Sequence, residues 1–174
     1  MRLFTAVLFD DDTLDRISLI RDRLHDEAVA GSFSGRDNLH LTLDFLGECS
    51  VQQMHSAQAA MDEISFEPFE ITFDRTGFFT GDTSDTWWLG VKENRSLMNL
   101  QAALHEALLE RGLRLEKRRY RPHVTLARRV ITSSPAGPVE PFKTTVSAIS
   151  LMLSERHGNS MVYTNLYTVN GYKN

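Results

Sequence analysis

Two short phrases of the sequence combine the residue types needed for acid–base chemistry. His40-Leu41-Thr42-Leu43 and His123-Val124-Thr125-Leu126 each place a histidine two residues before a threonine. On a β-strand these two polar side chains share one face, and the apolar residues between them point to the other. Because an imidazole has an ordinary pKa of about 6.5, two of them that face each other can act as general acid and general base near neutral pH.

The two phrases lie 83 residues apart, counted from His40 to His123. A single histidine on a half-exposed strand is most often satisfied by local hydrogen bonds and has no catalytic role. A repeated phrase instead indicates two structurally similar halves, each contributing one histidine to a shared site. The repeat therefore favours catalysis over two unrelated strand histidines.

The longer phrases HLTLDFLG and RPHVTLARR resemble the paired motifs of the 2H phosphoesterases. The match is to the bacterial RNA 2′,3′-cyclic phosphodiesterase branch, also called the 2′-5′ RNA ligase family, and it extends over most of the chain. This resemblance implies an α+β fold in which two pseudo-symmetric lobes of antiparallel strands, with helices packed outside, form a V-shaped central groove. It also implies that His40 is the proton donor and His123 the proton acceptor. Asp44 departs from the family, since many members carry a basic residue there.

The reaction implied by the resemblance is hydrolysis of RNA 2′,3′-cyclic phosphate ends to 2′-phosphates, with joining through a 2′-5′ bond as the reverse. In principle this chemistry needs no metal and no cofactor, because one base, one acid and donors to the phosphoryl oxygens suffice. Thr42 and Thr125 share the faces of the histidines and can donate to phosphate oxygens. Arg128 can add a charge-assisted contact, although simple strand alternation places it on the opposite face.

Two alternative functions stay open. The same site can act on 2′-5′ oligonucleotides or on nucleotide metabolites with a cyclic phosphate, in place of RNA 3′ ends. A non-catalytic RNA-binding module is the other alternative, because a basic run lies beside the second motif. Its residues, opposed by the single acid Glu116, are Arg114, Lys117, Arg118, Arg119, Arg121, Arg128 and Arg129. A basic run is more often a solvated surface, but its position beside His123 favours attraction of phosphates.

Length and composition are those of one ordinary domain or of two small lobes sharing a core, and the resemblance implies a single domain of two similar lobes over residues 1–174. The hydrophobic and charged contents are 41% and 24%, and the net charge of −4 excludes a global basic field. The lone Cys49 cannot form an intramolecular disulfide, and the apolar run Leu3 to Phe9 is too short for a membrane span or a secretory signal. We therefore expect a cytoplasmic protein that needs neither a membrane nor an obligate protein partner.

The remaining polar and aromatic candidates are weaker. Asp44 is predicted to share the groove face with His40, either orienting its ring or lying on a solvated rim. His25, His55, His105 and His157 are expected to be surface or cap residues, and no spacing typical of a metal site is present. Trp87 and Trp88 should point to opposite faces, one into the core. The candidates for stacking on a base, most of them expected in the core, are Phe4, Phe45, Phe78, Phe79 and Tyr120.

Hydrophobic periodicity and caps predict the order βα, β, αββα, β, ββ, which is an α+β chain. The predicted helices are Thr13 to Val29, a helix opened by a capping box at Ser50 and ending near Ile64, and one capped by Asn94 and ending near Arg111. Besides the motif strands, the predicted strands are Arg2 to Phe9, Phe69 to Phe79, Thr86 to Lys92, Thr145 to Leu153 and Met161 to Val169. Predicted loops are residues 31–38 and 132–141, with a turn at Gly81-Asp82-Thr83-Ser84.

Overall fold

The computed structural model of the chain describes residues 1–82 and 84–172, so the predicted turn at residues 81–84 includes one position, Thr83, outside the described residues. The described residues form three α-helices and nine strands, with a single 3-10 turn at Arg36–Asn38. The helices are α1 (Asp11–Glu27), α2 (Val51–Asp62) and α3 (Arg95–Glu110). The strands are β1 (Arg2–Val7), β2 (Ala30–Phe33), β3 (Leu41–Glu48), β4 (Phe69–Phe79), β5 (Asp85–Val91), β6 (His123–Ile131), β7 (Pro138–Val146), β8 (Ala148–His157) and β9 (Ser160–Asn170).

All strand pairs are antiparallel, and the sheet follows the order β7-β4-β5-β6-β3-β1-β8-β9, with β2 added to β6. The order divides into two halves of four strands. We call β9-β8-β1-β3 lobe 1 and β7-β4-β5-β6 lobe 2. Within the described strands the halves meet at one registered pair, Leu41 with Val124. The two motif strands β3 and β6 are thus the innermost strands of their lobes, and the predicted α+β fold with antiparallel strands is confirmed.

Helix boundaries agree with the caps seen in the sequence. Asp10 accepts from the Thr13 amide at 2.8 Å and caps α1, so this helix begins two residues earlier than predicted and ends at Glu27. The predicted capping box of α2 is present, with Ser50 and Gln53 bonded reciprocally at 2.9 and 3.2 Å. Asn94 caps α3. None of the helices in the described residues has the length and apolar character that a membrane crossing requires.

The largest difference from the predicted elements lies at β7, whose first residues fall within the predicted loop 132–141. Pro138 and Pro141 both lie in this strand, although proline cannot donate a ladder hydrogen bond. Because β7 is an edge strand paired only with β4, one side of its backbone needs no partner strand, and prolines are tolerated there. The short strand β2 likewise occupies part of the predicted loop 31–38.

The helices pack on one face of the sheet, and the apolar core lies between the helices and the sheet. We call this the helix face and the opposite one the groove face. The apolar residues of both motifs lie on the helix face as predicted, since Leu41, Leu43, Val124 and Leu126 are all buried. A core behind each motif strand fixes which side chains turn towards the groove, because successive residues alternate between the faces.

Candidate active site

The two motif histidines lie on either side of the junction between the lobes. His40 immediately precedes β3, and His123 is the first residue of β6. The antiparallel pair of Leu41 with Val124 sits one residue from each of them. A positive charge on His123 lowers the pKa of His40, which places the two rings within electrostatic reach of each other. The predicted meeting of the two motifs is therefore present in the fold.

Both imidazoles are oriented by the same type of hydrogen bond. The Nδ1 atom of His40 lies 2.7 Å from the Asn38 carbonyl oxygen, and Nδ1 of His123 lies 2.6 Å from that of Arg121. Since a carbonyl oxygen only accepts, Nδ1 carries the hydrogen in each ring and donates it. This leaves Nε2 of each ring for chemistry. Nε2 of His40 lies 3.0 Å from the hydroxyl oxygen of Thr42.

The surroundings lower the pKa of both histidines below the ordinary value of 6.5. Burial is the main cause in each case, because it disfavours the charged imidazolium. The bonds to the backbone carbonyls act in the opposite direction and favour the charged form. The positive charge of Arg128 lowers the pKa of both rings, and that of Arg118 also lowers the pKa of His123. The pKa of each imidazole, and so its protonation state, therefore depends on the charged groups around the groove.

A β-bulge in β6 brings Arg128 to the side of the histidines. Thr125 pairs with Trp88 and Ala127 with Trp87, so Leu126 is an extra residue without a counterpart in β5. Leu126 and Ala127 are both 0% exposed, which shows that two successive residues face the core. After this shift Arg128 returns to the groove face, so the expectation of an opposite-facing Arg128 is wrong. A bulge re-aims side chains in this way.

The bulge continues into a strained residue. Arg129 has a φ of 54°, in the left-handed region that side chains other than glycine and asparagine rarely adopt. The next residue, Val130, is again buried in the core. A non-glycine residue held in this conformation requires stabilisation by the surrounding structure.

An equivalent bulge interrupts β3. Thr42 pairs with Ala6 and Asp44 with Thr5, so Leu43 is the extra residue. Asp44 thereby turns to the helix face, where it is only 7% exposed. The expectation that Asp44 shares the groove face with His40 is wrong for the same physical reason as at Arg128.

Asp44 is the centre of a buried polar cluster between β3 and α3. Its carboxylate lies 2.5 Å from Nδ1 of His105 and accepts from the Gln101 amide at 3.2 and 3.3 Å. The Asp44 amide donates to the Thr5 hydroxyl at 3.1 Å. Burial raises the pKa of Asp44, while its bonds to His105 and Gln101 act in the opposite direction. His105 was expected at the surface, and this contact corrects that expectation.

Aromatic rings flank both histidines. The Phe4 and Tyr163 rings lie 4.8 and 5.1 Å from the His40 ring, measured between centroids. On the other side, the Phe79 ring lies 5.1 Å from that of His123, and the Trp88 ring lies 6.3 Å away. Trp87 is buried on the helix face, so the predicted division of the two tryptophans between the faces is confirmed.

Comparisons with known proteins show the family of the chain. The model of the 2′-5′ RNA ligase superfamily matches residues 9–158. The chain is 35% identical over 130 residues to the RNA 2′,3′-cyclic phosphodiesterase of Archaeoglobus fulgidus, covering 74% of this chain and 72% of that protein. The Escherichia coli protein of the same name is 31% identical over 140 residues, which cover 78% of each chain. The chain belongs to the 2′-5′ RNA ligase superfamily.

The structural comparison extends this to nearly the whole chain. The crystal structure of E. coli LigT complexed with 3′-AMP superposes with a TM-score of 0.87 at 27% identity, covering 99% of this chain and 98% of that one. The resemblance to 2H phosphoesterases drawn from the two motifs is thereby confirmed. The superposition shows that the chain shares with LigT a curled antiparallel sheet with three helices.

Two hydroxyl groups from outside the motif strands donate hydrogen bonds to the backbone carbonyls of the motif threonines. The Tyr120 hydroxyl donates to the Thr42 carbonyl at 2.9 Å, and the Ser34 hydroxyl donates to the Thr125 carbonyl at 3.0 Å. Sequence reasoning missed both roles, because neither residue lies on a motif strand. The position of Tyr120 only three residues before His123 is a signal that pointed to the site, although base stacking was the expected role.

The described residues contain no group of three or more His, Cys, Asp or Glu side chains arranged to hold a metal ion. The polar side chains that the two motif strands present on the groove face include two imidazoles, two threonine hydroxyls and one guanidinium. Such a set can donate and accept protons and can bind an anion by charge-assisted hydrogen bonds.

Proposed function

We propose that this protein hydrolyses RNA 2′,3′-cyclic phosphate ends to 2′-phosphates. The observation that carries the proposal is the pair of imidazoles whose Nδ1 atoms donate to backbone carbonyls 2.7 and 2.6 Å away, leaving both Nε2 atoms at the junction of the two lobes. Relatives whose alignments cover about three quarters of this chain are named RNA 2′,3′-cyclic phosphodiesterases. That name supports the same substrate class here.

In the proposed reaction, water attacks the phosphorus atom of the five-membered cyclic diester. Nε2 of neutral His123 accepts a proton from that water as the new P–O bond forms. Nε2 of protonated His40 donates a proton to the departing 3′ oxygen as its bond to phosphorus breaks. The products are a free 3′-hydroxyl and a 2′-phosphate. The reverse of this sequence, with a ribose 5′-hydroxyl in place of water, joins two ends through a 2′-5′ bond.

Three further side chains are proposed to bind the phosphate. Thr42 and Thr125 each lie one residue beyond the Leu41–Val124 pair. Their side chains are on the groove face, as are those of the two histidines. Their hydroxyls can donate to the two phosphoryl oxygens that are not part of the ring. Arg128 stabilises the added negative charge as the attacking oxygen bonds to phosphorus, because its guanidinium lies within electrostatic reach of both histidines.

The test is incubation of the purified protein with an RNA oligonucleotide that ends in a 2′,3′-cyclic phosphate, with EDTA present. Phosphorus NMR would identify the position of the product phosphate. We expect a 2′-phosphate at the full rate from the wild type and from His25→Ala, which removes an exposed imidazole of α1. His40→Ala and His123→Ala should each form it at least about a hundredfold more slowly. Activity that survives both motif substitutions would contradict the proposal. Activity that EDTA abolishes would contradict metal-independent hydrolysis.

The same assay separates the alternative functions. Turnover of 2′-5′-linked oligonucleotides or cyclic nucleotides, without turnover of RNA ends, would move the site to a different substrate. RNA binding without turnover of any of these would indicate a non-catalytic module. A cytoplasmic location stays a prediction from the sequence.

A further inference from the structure

We propose that residues 114–121, which we call the basic arm, bind the phosphates on the 5′ side of the cyclic end and make the enzyme prefer RNA chains to mononucleotides. This inference rests on the function proposed above. The arm connects the end of α3 to the start of β6 and has no regular secondary structure. Five of its eight residues are basic and only Glu116 is acidic, in a protein whose net charge is −4.

The arm is fixed to the site at its C-terminal end. Tyr120 points inward and donates from its hydroxyl to the Thr42 carbonyl of the opposite motif strand. The Arg121 carbonyl accepts the hydrogen bond from Nδ1 of His123. At the N-terminal end of the arm, the residue that precedes it, Leu113, is buried in the core. The arm therefore lies against the junction of the lobes at a fixed position and not as a free loop.

Most of the positive charge on the arm has no acidic partner. Arg118 forms an ion pair with Glu116 at 2.6 Å, and its charge still reaches His123 and lowers the pKa of that ring. The other basic side chains of the arm are exposed and have no carboxylate within 4.0 Å among the described residues: Arg114, Lys117, Arg119 and Arg121. Four exposed cations in the segment that leads into the second motif form an anion-binding surface.

The chemistry of the substrate explains why this surface suits a chain. A 2′,3′-cyclic phosphate uses both hydroxyls of the terminal ribose, so the RNA continues only from the 5′ oxygen of that nucleotide. Each earlier nucleotide adds one negatively charged phosphate outside the site of reaction. Tyr120 is turned inward, and its neighbours Arg119 and Arg121 are exposed two to four residues before His123. Contacts with these phosphates are available to a polymer and not to a nucleoside 2′,3′-cyclic phosphate.

Charge neutralisation of phosphates makes binding depend on salt concentration, with a slope of about −0.7 per phosphate contact for single strands. The experiment compares kcat/KM for a nucleoside 2′,3′-cyclic phosphate with that for a short oligonucleotide ending in the same nucleotide, between about 50 and 200 mM salt. The variant Lys117→Gln/Arg119→Gln removes two charges of the arm. The matched control, Arg23→Gln/Lys143→Gln, removes two exposed charges on α1 and on the edge strand β7.

We expect the wild type to prefer the oligonucleotide and to lose this preference as salt increases. The arm variant should lose about five- to twentyfold in kcat/KM on the oligonucleotide at low salt, and its salt slope should be smaller by up to about 1.4 for the two charges removed. Its activity on the mononucleotide should match that of the wild type. The control should behave like the wild type on both substrates.

Equal kcat/KM for the two substrates in the wild type, at every salt concentration, would overturn the role of the arm and leave the proposed function standing. Equal salt slopes for the arm variant and the wild type would overturn it as well. Failure of the wild type to turn over either substrate would overturn both proposals. The wild-type salt series needs no substitution, so it tests the inference even if the arm variant folds poorly.

Discussion

The two motif strands share a frame but differ in the side chains that the frame presents. In both β3 and β6, the histidine ring donates from Nδ1 to a carbonyl two residues earlier. In both, a bulge follows the threonine, at Leu43 and at Leu126. The carbonyl of each motif threonine accepts from a hydroxyl group outside the strand, Tyr120 in one case and Ser34 in the other. The repeated geometry positions two equivalent imidazoles.

The differences appear after the bulges. At the fourth position beyond the histidine, β3 has Asp44 and β6 has Ala127, both turned to the helix face. At the fifth position, β3 presents Phe45, 41% exposed and 6.1 Å from the Phe4 ring, and β6 presents Arg128. One lobe therefore contributes aromatic surface near its histidine, and the other contributes a positive charge. The comparison teaches that a repeated backbone can hold two equivalent imidazoles while the fifth position differs, and in the proposed function the positive charge at that position determines where the phosphate binds.

The largest effect is expected from removing either imidazole. His40→Ala and His123→Ala should each lower kcat by about 10²–10⁴, the usual range for one general acid or base. The losses should be similar despite the different neighbours, because each ring transfers one proton in the reaction. Single-turnover rates on an RNA 2′,3′-cyclic phosphate would measure them. A loss confined to one of the two variants would break the equivalence of the strands.

Arg128→Gln should have the next largest effect, and Arg129→Gln is its matched control. Loss of a charge-assisted hydrogen bond of about 1.5–3 kcal/mol corresponds to a reduction in kcat/KM of about 10- to 150-fold. Arg129 is the adjacent exposed arginine, and the pKa of neither histidine responds to it. Equal losses for the two arginines would show that net charge, and not the position set by the bulge, is what matters.

The same pair of variants gives a pH prediction. The proposed mechanism requires neutral His123 and charged His40, so kcat/KM should rise with pH through one apparent pKa and fall through another, both belonging to the coupled pair. Arg128 lowers the pKa of both rings, so its removal should raise both values. Both limbs of the bell should move to higher pH in Arg128→Gln and stay in place in Arg129→Gln. A profile unchanged by Arg128→Gln would contradict the electrostatic contact.

A smaller effect is expected from the two hydroxyl groups that bind the threonine carbonyls. Tyr120→Phe and Ser34→Ala each remove one hydrogen bond, for which about 0.5–1.5 kcal/mol is typical. We expect a two- to tenfold fall in kcat, since the position of the motif threonine would be less fixed. Tyr120→Phe should have the larger effect, because Tyr120 links Thr42 of lobe 1 to the segment that enters β6 of lobe 2. An unchanged kcat for both variants would show that the bulges keep their geometry unaided.

The sequence predicted the two motif strands and their meeting well, and it predicted poorly which way the side chains after the bulges point. Repetition of the His-x-Thr phrase, with its apolar back face, was sufficient to predict the strands, the pairing of His40 with His123 and the family. Strict alternation then placed Asp44 in the groove and Arg128 outside it, and the structure reverses both. A bulge inserts one residue without any change in composition, so a two-residue period continued past Leu43 or Leu126 is out of phase. The contact of His105 was missed for the same reason, since it depends on Asp44 facing α3.

The smallest effect on activity is expected at Asp44, which faces away from the groove, and its effect on stability is the informative one. Burial raises the pKa of Asp44 above its ordinary value of 3.8, so the folded protein binds this proton more tightly than the unfolded chain does. The contribution of Asp44 to the free energy of unfolding therefore falls as pH rises from the ordinary value through the raised one. Asp44→Asn stays neutral and lacks this fall, so the stability of Asp44→Asn relative to the wild type should increase with pH over that window. Urea unfolding at a series of pH values measures it, and a difference independent of pH would contradict the raised pKa. Asp44→Ala should instead cost about 1–3 kcal/mol at neutral pH, because Gln101 and His105 lose their acceptor.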